Sequence, residues 1–378
     1  MKTVVIAGYA RTPFTLARKG ALAGTRPDEI AAQLIRRFVE ASKIPPGDIE
    51  DLILGCAIPE GEQGLNVARL IALLAGLPQS VGGQTINRFC GSSMQAIHTA
   101  AGAIQMGAGE AFICAGVESM TRVPMTGFNL FPHPGLARTL PGAYMGMGDT
   151  AENVARQWMI SRDQQEAFAL QSHQKAAKAA AEGAFNDEII AIETRKGTVT
   201  ADGCIRADAS LEALAQLKPA FDQAGSVTAG TSSPLTDGAA VTLVCSAEFA
   251  ERHGLTPLAR IASIAIAGCA PEIMGIGPVA ASRKSLDRAG IKAEALDVIE
   301  LNEAFAAQSL ACIQDLGLDP AKVNIDGGAI ALGHPLGASG ARITGKAASL
   351  LGRVGGRYAL ATMCIGGGQG IATVLEAL

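Results

Sequence analysis

What most constrains this chain is a faint repetition along its length. IPPGDIEDLIL (44–54) and IKAEALDVIEL (291–301) each follow an amphipathic stretch and pass through a short polar connection into an apolar strand. Further on, TINRFCGSSMQAI (85–97) and AIALGHPLGASGARI (329–343) each read as strand, Gly-rich turn and helix. One such pair would mean little, but two in the same order imply two similar halves. Short apolar runs alternate with Ala-rich amphipathic stretches, as in VVIAG (4–8), DEIAAQLIRRFVEAS (28–42) and DLILG (51–55), so each half is expected to be a layered α/β unit. The helix at 28–42 opens after Pro27 with Asp28 and Glu29, the sign of charge that a helix N-terminus favours. Between the halves, roughly 118–234 is different: rich in Pro, Met and Gly, with a polar helical stretch (RDQQEAFALQSHQKAAKAAAEGAF) and turn signals at 196–197 and 202–203. Insertions of this size in such a scaffold usually carry substrate-binding loops. A chain of 378 residues also exceeds one simple core. The expected division is residues 1–117 plus about 235–256 for the first half, 118–234 for the insertion and 257–378 for the second half.

Composition excludes several function classes. With 48% hydrophobic and 17% charged residues the chain is globular, and its formal charge of −4 without a basic stripe argues against a nucleic-acid partner. No apolar run reaches membrane-spanning length, and the opening MKTVVIAGYART reads as a first strand rather than a signal peptide, so a cytoplasmic location is expected. The eight cysteines (56, 90, 114, 204, 245, 269, 312, 364) form no CxxC pair, which leaves no structural zinc pattern. Most should be small buried hydrophobes with free thiols.

Two cysteines stand out from that background. Cys90 lies between an alternating strand ending near Phe89 and a helix from about Met94, with Gly91, Ser92 and Ser93 to turn and cap. At a helix N-terminus its thiolate is expected to be favoured by the macrodipole, and a basic partner would still help. Against this stands a plain buried cysteine at a strand end. Among the five histidines, His98 lies far along the helix after Cys90 and reads as a packing or surface residue, and His173 and His253 read as solvated. His133, in a Pro-flanked loop, fits either role. His334 stands in GGAIALGHPLGASGAR between an apolar strand and a Gly-rich turn, which presents it on tight backbone and favours it as the base. Cys364 is followed at once by three glycines, which let backbone N–H groups approach a ligand closely. Too little chain follows Gly370 for a dinucleotide-binding βαβ unit. Asn302 and Glu303, after the strand at 297–301, are candidates either for helix capping or for the site.

NRFCGSSMQAI, GVESM, TAGTSSPLTDGAA, LNEAFAAQ, NIDGGAIALGHPLGASGAR and ATMCIGGGQGIA together resemble the thiolase signatures, in order over essentially the whole chain. The resemblance implies the five-layered αβαβα thiolase fold, an α/β architecture of two similar halves with a loop domain inserted in the first. It implies an acyltransferase that cleaves a 3-oxoacyl-CoA with CoA, in a reversible ping-pong reaction that needs no metal, no redox cofactor and no tightly bound cofactor. In that family pattern Cys90 is the nucleophile, His334 its base, Cys364 the acid/base at the α-carbon, and Asn302 holds a water in an oxyanion hole with His334. Backbone N–H groups of Cys90 and Gly366 form the second oxyanion hole. Arg206, Phe221 and Ser233 sit where the family contacts coenzyme A, and Met147 where it walls the acyl pocket. GVESMTRVPM, TSSPLTDGAA and FPHPGL are similar to the degradative, fatty-acid β-oxidation branch; Gly146 stands where the acetoacetyl-CoA branch has a histidine, and Pro234 where small residues are common. An acetoacetyl-CoA or 3-oxoadipyl-CoA thiolase, and more remotely a ketoacyl synthase or a non-catalytic lipid-binding relative, are the alternatives. Retention of both cysteines weighs against the last. Family resemblance also implies a homodimer or homotetramer and, for bacterial β-oxidation members, a complex with a hydratase/dehydrogenase subunit.

Overall fold

The computed structural model describes residues 2–378. Its strands are β1 (Val4–Arg11), β2 (Thr15–Leu16), β3 (Asp51–Gly55), β4 (Gly82–Ile86), β5 (Ala111–Ser119), β6 (Ile192–Thr194), β7 (Gly197–Val199), β8 (Thr236–Ser246), β9 (Ala259–Gly268), β10 (Val298–Leu301), β11 (Tyr358–Ile365) and β12 (Gln369–Glu376). The large sheet runs β10-β11-β12-β9-β1-β8-β5-β3-β4. Read outward from the central antiparallel β1–β9 pair, both sides give an antiparallel partner, a second antiparallel step and then parallel strands. The β1–β9 seam is short, pairing Val5 with Arg260 and Ile6 with Ala259. Sequence patterning required this: β5, β8, β10 and β11 are buried along almost their whole length, as strands covered on both faces must be.

Helices cover the strands in three layers. Pro27–Ser42 and Val67–Leu74 close the outer face of the first half, with Pro27 at the first helical turn, Asp28 and Glu29 beside it, and Ile30, Leu34, Ile35 and Phe38 turned to the core. Gly277–Ala289 and Ala306–Leu316 close the second half. Ser92–Met106 and Leu336–Val354 lie between the halves, and Leu336–Val354 touches strands of both. These two central helices cross where Ser93 Oγ accepts from the Ala341 N–H at 2.8 Å. A Cβ on Gly340 would meet the Met94 nitrogen at 2.3 Å, so only glycine lets the crossing close. With the sheet divided at its short β1–β9 seam, the layers run helix, first half of the sheet, helix, second half of the sheet, helix.

The repeated sequence pairs become equivalent elements. The 3₁₀ turn Pro46–Asp48 leads into β3, and Ala293–Ala295 leads into β10, each after a helix that ends in a left-handed residue, Lys43 or Gly290. One part of the repeat differs from expectation. The apolar run at 329–332 is a turn of α-helix (Ala329–Leu332), not a strand. Four residues with Gly327 at φ +84° on one side and Gly333 at +101° on the other have no neighbour to pair with as a strand.

Residues 120–235 contribute the short β6–β7 hairpin and several helices, and no strand of the large sheet. Buried ion pairs tie this stretch down. Arg11 binds Glu188 at 2.7 Å and Asp202 through two nitrogens at 2.7 and 2.8 Å, while Lys346 of the central helix binds Glu188 at 2.8 Å and Asp326 at 2.7 Å. Such pairs specify one arrangement because a lone buried charge would be costly.

Candidate active site

Four segments converge at the tips of the two central helices. Cys90 stands two residues before the helix Ser92–Met106, and His334 two residues before the helix Leu336–Val354. Both side chains are buried. The turn carrying Cys90 is strained: Phe89 sits at φ +42°, a conformation non-glycine residues avoid at a cost of about 1–3 kcal/mol. Hydrogen bonds hold it there. Asn87 Oδ1 accepts from the Phe89 N–H at 2.8 Å, the Ser92 hydroxyl donates to the Phe89 carbonyl at 2.6 Å, and the Arg88 N–H donates to Ser92 Oγ at 2.9 Å.

Burial decides the charge state of the thiol. The helix terminus was expected to favour thiolate, but desolvation pushes the Cys90 thiol up to about 11, while N–H groups of Gly366 and of Cys90 itself pull the other way. The thiol is therefore the favoured form of Cys90 at neutral pH. His334 is shifted in the opposite direction. Burial, with Arg342 adding to it, depresses its pKa to about 3, so the imidazole is neutral at physiological pH. Its tautomer follows from its neighbours. The Ser339 hydroxyl donates to the Pro335 carbonyl at 3.0 Å, which leaves its oxygen to accept from His334 Nδ1–H at 2.6 Å. Asn302 Nδ2 then donates to the unprotonated Nε2 at 3.3 Å. The backbone N–H of His334 donates to Thr236 Oγ1 at 3.1 Å.

Asn302 follows β10, its N–H bonded to the Thr362 carbonyl at 3.0 Å, and it does not cap the next helix, whose N-cap is Phe305. Asn302 Oδ1 is buried without a hydrogen-bond partner among the described residues. Cys364, at the end of β11, packs with Ala304, Phe305, Met274, Val227 and Ala151, and its thiol is raised well above the ordinary value by burial and then by the neighbouring Cys90. After it, Gly366–Gly368 turn the chain back into β12, with Gly367 at φ +79° and Gly368 at +84°. Met147, at the start of the helix Met147–Gln157, packs against both the Cys364 cluster and the cluster that holds Cys90.

The remaining sequence candidates lie further out. The Phe221 ring meets Phe305 edge-on at 5.9 Å, and the Ser233 N–H donates to the Ala304 carbonyl at 3.0 Å, so both border the Cys364 wall. A cavity of about 570 Å³ opens beside Phe221, lined also by Met145, Asp149 and Arg156. Pro234 and Gly146 flank these positions as half-buried and exposed backbone. Arg206 is exposed, its N–H donating to His173 Nδ1 at 3.2 Å.

Two of the other histidines, His173 and His253, correct the expectations. His173 is buried, not solvated, and burial lowers its pKa to about 4. His253 is half-buried and stacks on Phe249 at 4.2 Å. His98 bonds Thr373 Oγ1 at 2.8 Å inside the core, and His133 caps the short helix Pro134–Thr139.

Sequence reasoning missed two participants. Glu118, in the GVESM run, is buried and accepts from Ala57 N–H (2.8 Å), Ile58 N–H (3.2 Å), Gln63 Nε2 (2.7 Å) and the Gly337 N–H of the opposite half (2.8 Å). Ser339 fixes the imidazole. Its signal was its place one helical turn past Pro335; for Glu118 it was a charge inside an otherwise apolar strand. Among the described residues, no group of three His, Cys, Asp or Glu side chains is arranged to hold a metal, and no helix is long and apolar enough to cross a membrane.

Comparison with known proteins agrees with this geometry. The thiolase N-terminal domain family matches residues 4–248, and the thiolase C-terminal domain family matches residues 255–377. A 3-ketoacyl-CoA thiolase of Aliivibrio fischeri is 50% identical over 386 aligned residues, spanning all of both chains. Proteins of the same name from Idiomarina loihiensis and Bacillus subtilis are 48% and 45% identical, again over the full length of each.

Proposed function

This chain belongs to the thiolase family, and on that premise we propose the following reaction and site roles. The enzyme is an acyltransferase that cleaves 3-oxoacyl-CoA with CoA to acetyl-CoA and a shortened acyl-CoA. What supports the site assignment is a neutral imidazole whose unprotonated Nε2 accepts from Asn302, together with two buried thiols, Cys90 and Cys364, that neighbour each other.

His334 Nε2 takes the Cys90 proton as the sulfur attacks the 3-keto carbon. The oxyanion formed there is held by the N–H groups of Cys90 and Gly366. Cleavage of the C2–C3 bond leaves the shortened acyl group on Cys90 and an acetyl-CoA enolate. Asn302 and His334 stabilise the enolate oxygen, and Cys364 protonates its carbon. The Cys364 thiolate then takes the proton of a second CoA thiol as that sulfur attacks the Cys90 thioester; the Cys90 thiolate leaves, recovers its proton from His334, and the acyl group departs as acyl-CoA. Residues 118–234 form the substrate-binding insertion between a first half of 1–117 with 235–256 and a second half of 257–378. In it Met147 walls the acyl pocket, while Phe221, Ser233 and Arg206 meet coenzyme A. Fatty-acid β-oxidation in the cytoplasm is the setting this reading favours. The enzyme acts as a homodimer or homotetramer, alone or with a hydratase/dehydrogenase subunit. The unpaired edge of β4, next to exposed Leu65, Leu70 and Leu73, supports an oligomer.

The test is mass spectrometry of the protein after mixing with a 3-oxoacyl-CoA in the absence of free CoA. The shortened acyl group should appear on the peptide containing Cys90 and leave on addition of CoA, and Cys90→Ala should show neither. Acylation elsewhere, or turnover by Cys90→Ala, would sink the assignment.

A further inference from the structure

Two turns from opposite halves of the molecule meet beside Cys90. One is the turn 87–91 that carries Cys90; the other is Gly366–Gly368. The glycine turn has no side chains of its own to lock it. On one side it is held through the Gly368 carbonyl, which accepts from the Cys269 N–H at 2.8 Å, and through close packing of Gly368 on Pro271. On the side facing Cys90 the link is Arg88. Its Nε donates to Gln95 Oε1 at 2.9 Å in the helix that follows Cys90. Its Nη1 donates to Gln369 Oε1 at 2.8 Å, and Gln369 pairs with Ile365 to close the glycine turn. The backbone of Arg88 is built into the nucleophile turn as well, since the Gly91 N–H donates to its carbonyl at 3.0 Å. The Phe89 ring lies 3.7 Å from where a Cβ on Gly366 would stand, so the two turns are already in contact and the clamp sets their register.

We propose that Arg88 is a positioning residue: by bridging Gln95 and Gln369 it clamps the two turns together and holds the Gly366 N–H on the Cys90 sulfur. This rests on Cys90 being the nucleophile and Gly366 an oxyanion donor. Arginine suits the role because a planar fork reaches two acceptors in fixed directions, which lysine cannot do. Both acceptors are neutral amides, so the link is one of geometry rather than charge pairing. A donor displaced by a fraction of an ångström loses much of its value at a developing oxyanion. The clamp borders a solvent cavity of about 360 Å³ lined by Asn87, Arg88, Phe89 and Gln369, so its removal leaves the core packing alone.

The experiment compares Arg88→Gln, Gln369→Ala, their double variant and Arg88→Lys with the parent enzyme, using Cys90→Ala as a control. The expected result for each single loss is a kcat about 30-fold lower with KM within about threefold, the signature of a displaced oxyanion donor. The double variant should be no worse than the poorer single, because both break one link. Arg88→Lys, which cannot reach both acceptors, should lose about as much as the single variants. The pH midpoint for alkylation of Cys90 by iodoacetamide should move upward in Arg88→Gln and Gln369→Ala, since a lost N–H donor destabilises the thiolate; a merely structural role would leave it in place. Parent-like kcat in Arg88→Gln, additive losses in the double variant, or an unmoved alkylation midpoint would each overturn the clamp. If Cys90→Ala retains turnover, the nucleophile assignment falls instead; if it is inactive while Arg88→Gln is normal, only the clamp falls.

Discussion

The two halves share a scaffold and use equivalent positions for different work. Cys90 and His334 each stand two residues before the central helix of their own half. Counting from the register pairs Gly55↔Gly116 and Leu301↔Thr362, Glu118 and Cys364 each lie two residues further along, and Cys56 and Asn302 each directly follow the partner strand. The first half thus presents cysteine, glutamate and cysteine where the second presents histidine, cysteine and asparagine. Glu118 spends both carboxylate oxygens on four N–H donors and the Cys56 thiol, whereas Asn302 keeps an unpaired oxygen and Cys364 neighbours Cys90. Glu118 is saturated and ties one half to the other, while Asn302 is left with an unsatisfied oxygen. The connections differ in the same sense. Between β5 and β8 the first half carries residues 120–235, while β11 turns into β12 through Gly366, Gly367 and Gly368 alone. On the proposed roles, the long excursion would supply contacts for a large substrate and the tight glycine turn backbone donors.

The largest test of this contrast is Cys364→Ala. Turnover should fall about 10³-fold as the proton donor at carbon is lost, while capture of an acyl group on Cys90 from an acyl-CoA persists. A stopped-flow assay of the half-reaction against full turnover checks the split, and equal loss of both would erase the division of labour. Glu118→Gln addresses the saturated carboxylate. An amide nitrogen placed against N–H donors should cost about 2 kcal/mol of stability by urea denaturation, with kcat changed less than about fivefold. A large fall in kcat without loss of stability would make Glu118 chemical rather than anchoring. The smallest effects concern His334. Ser339→Ala removes the acceptor for Nδ1–H and should lower kcat about tenfold. In the parent enzyme the depressed pKa keeps the imidazole unprotonated well below its ordinary range, so kcat/KM should show no inflection near pH 6.5 as pH falls. A break there would mean that His334 titrates normally and the burial argument is wrong.

Much of this was legible before any coordinates. The pairs 44–54 with 291–301 gave the two halves, because a 3₁₀ turn entering a buried strand leaves the same polar-then-apolar trace wherever it occurs. The glycine-rich surroundings of Cys90, His334 and Cys364 marked backbone held in unusual shapes, as Gly333, Gly367 and Gly368 at positive φ show. The segment 329–332 was misread because four apolar residues carry no period long enough to separate strand from helix. His173 was misread because its helix is polar overall, and only the packing of 162–181 between its neighbours shows which face is covered.

The sequence by itself determined the layered halves and the family, since these depend on local pattern and on order along the chain. Only the tertiary structure decided the protonation states and the partners. Desolvation at Cys90 outweighs its helix terminus, Ser339 sets the tautomer of His334, and Glu118 and Arg88 bind one half to the other. Those outcomes depend on distances between atoms hundreds of residues apart and on how far water is excluded from them, and neither is written in any local stretch of sequence.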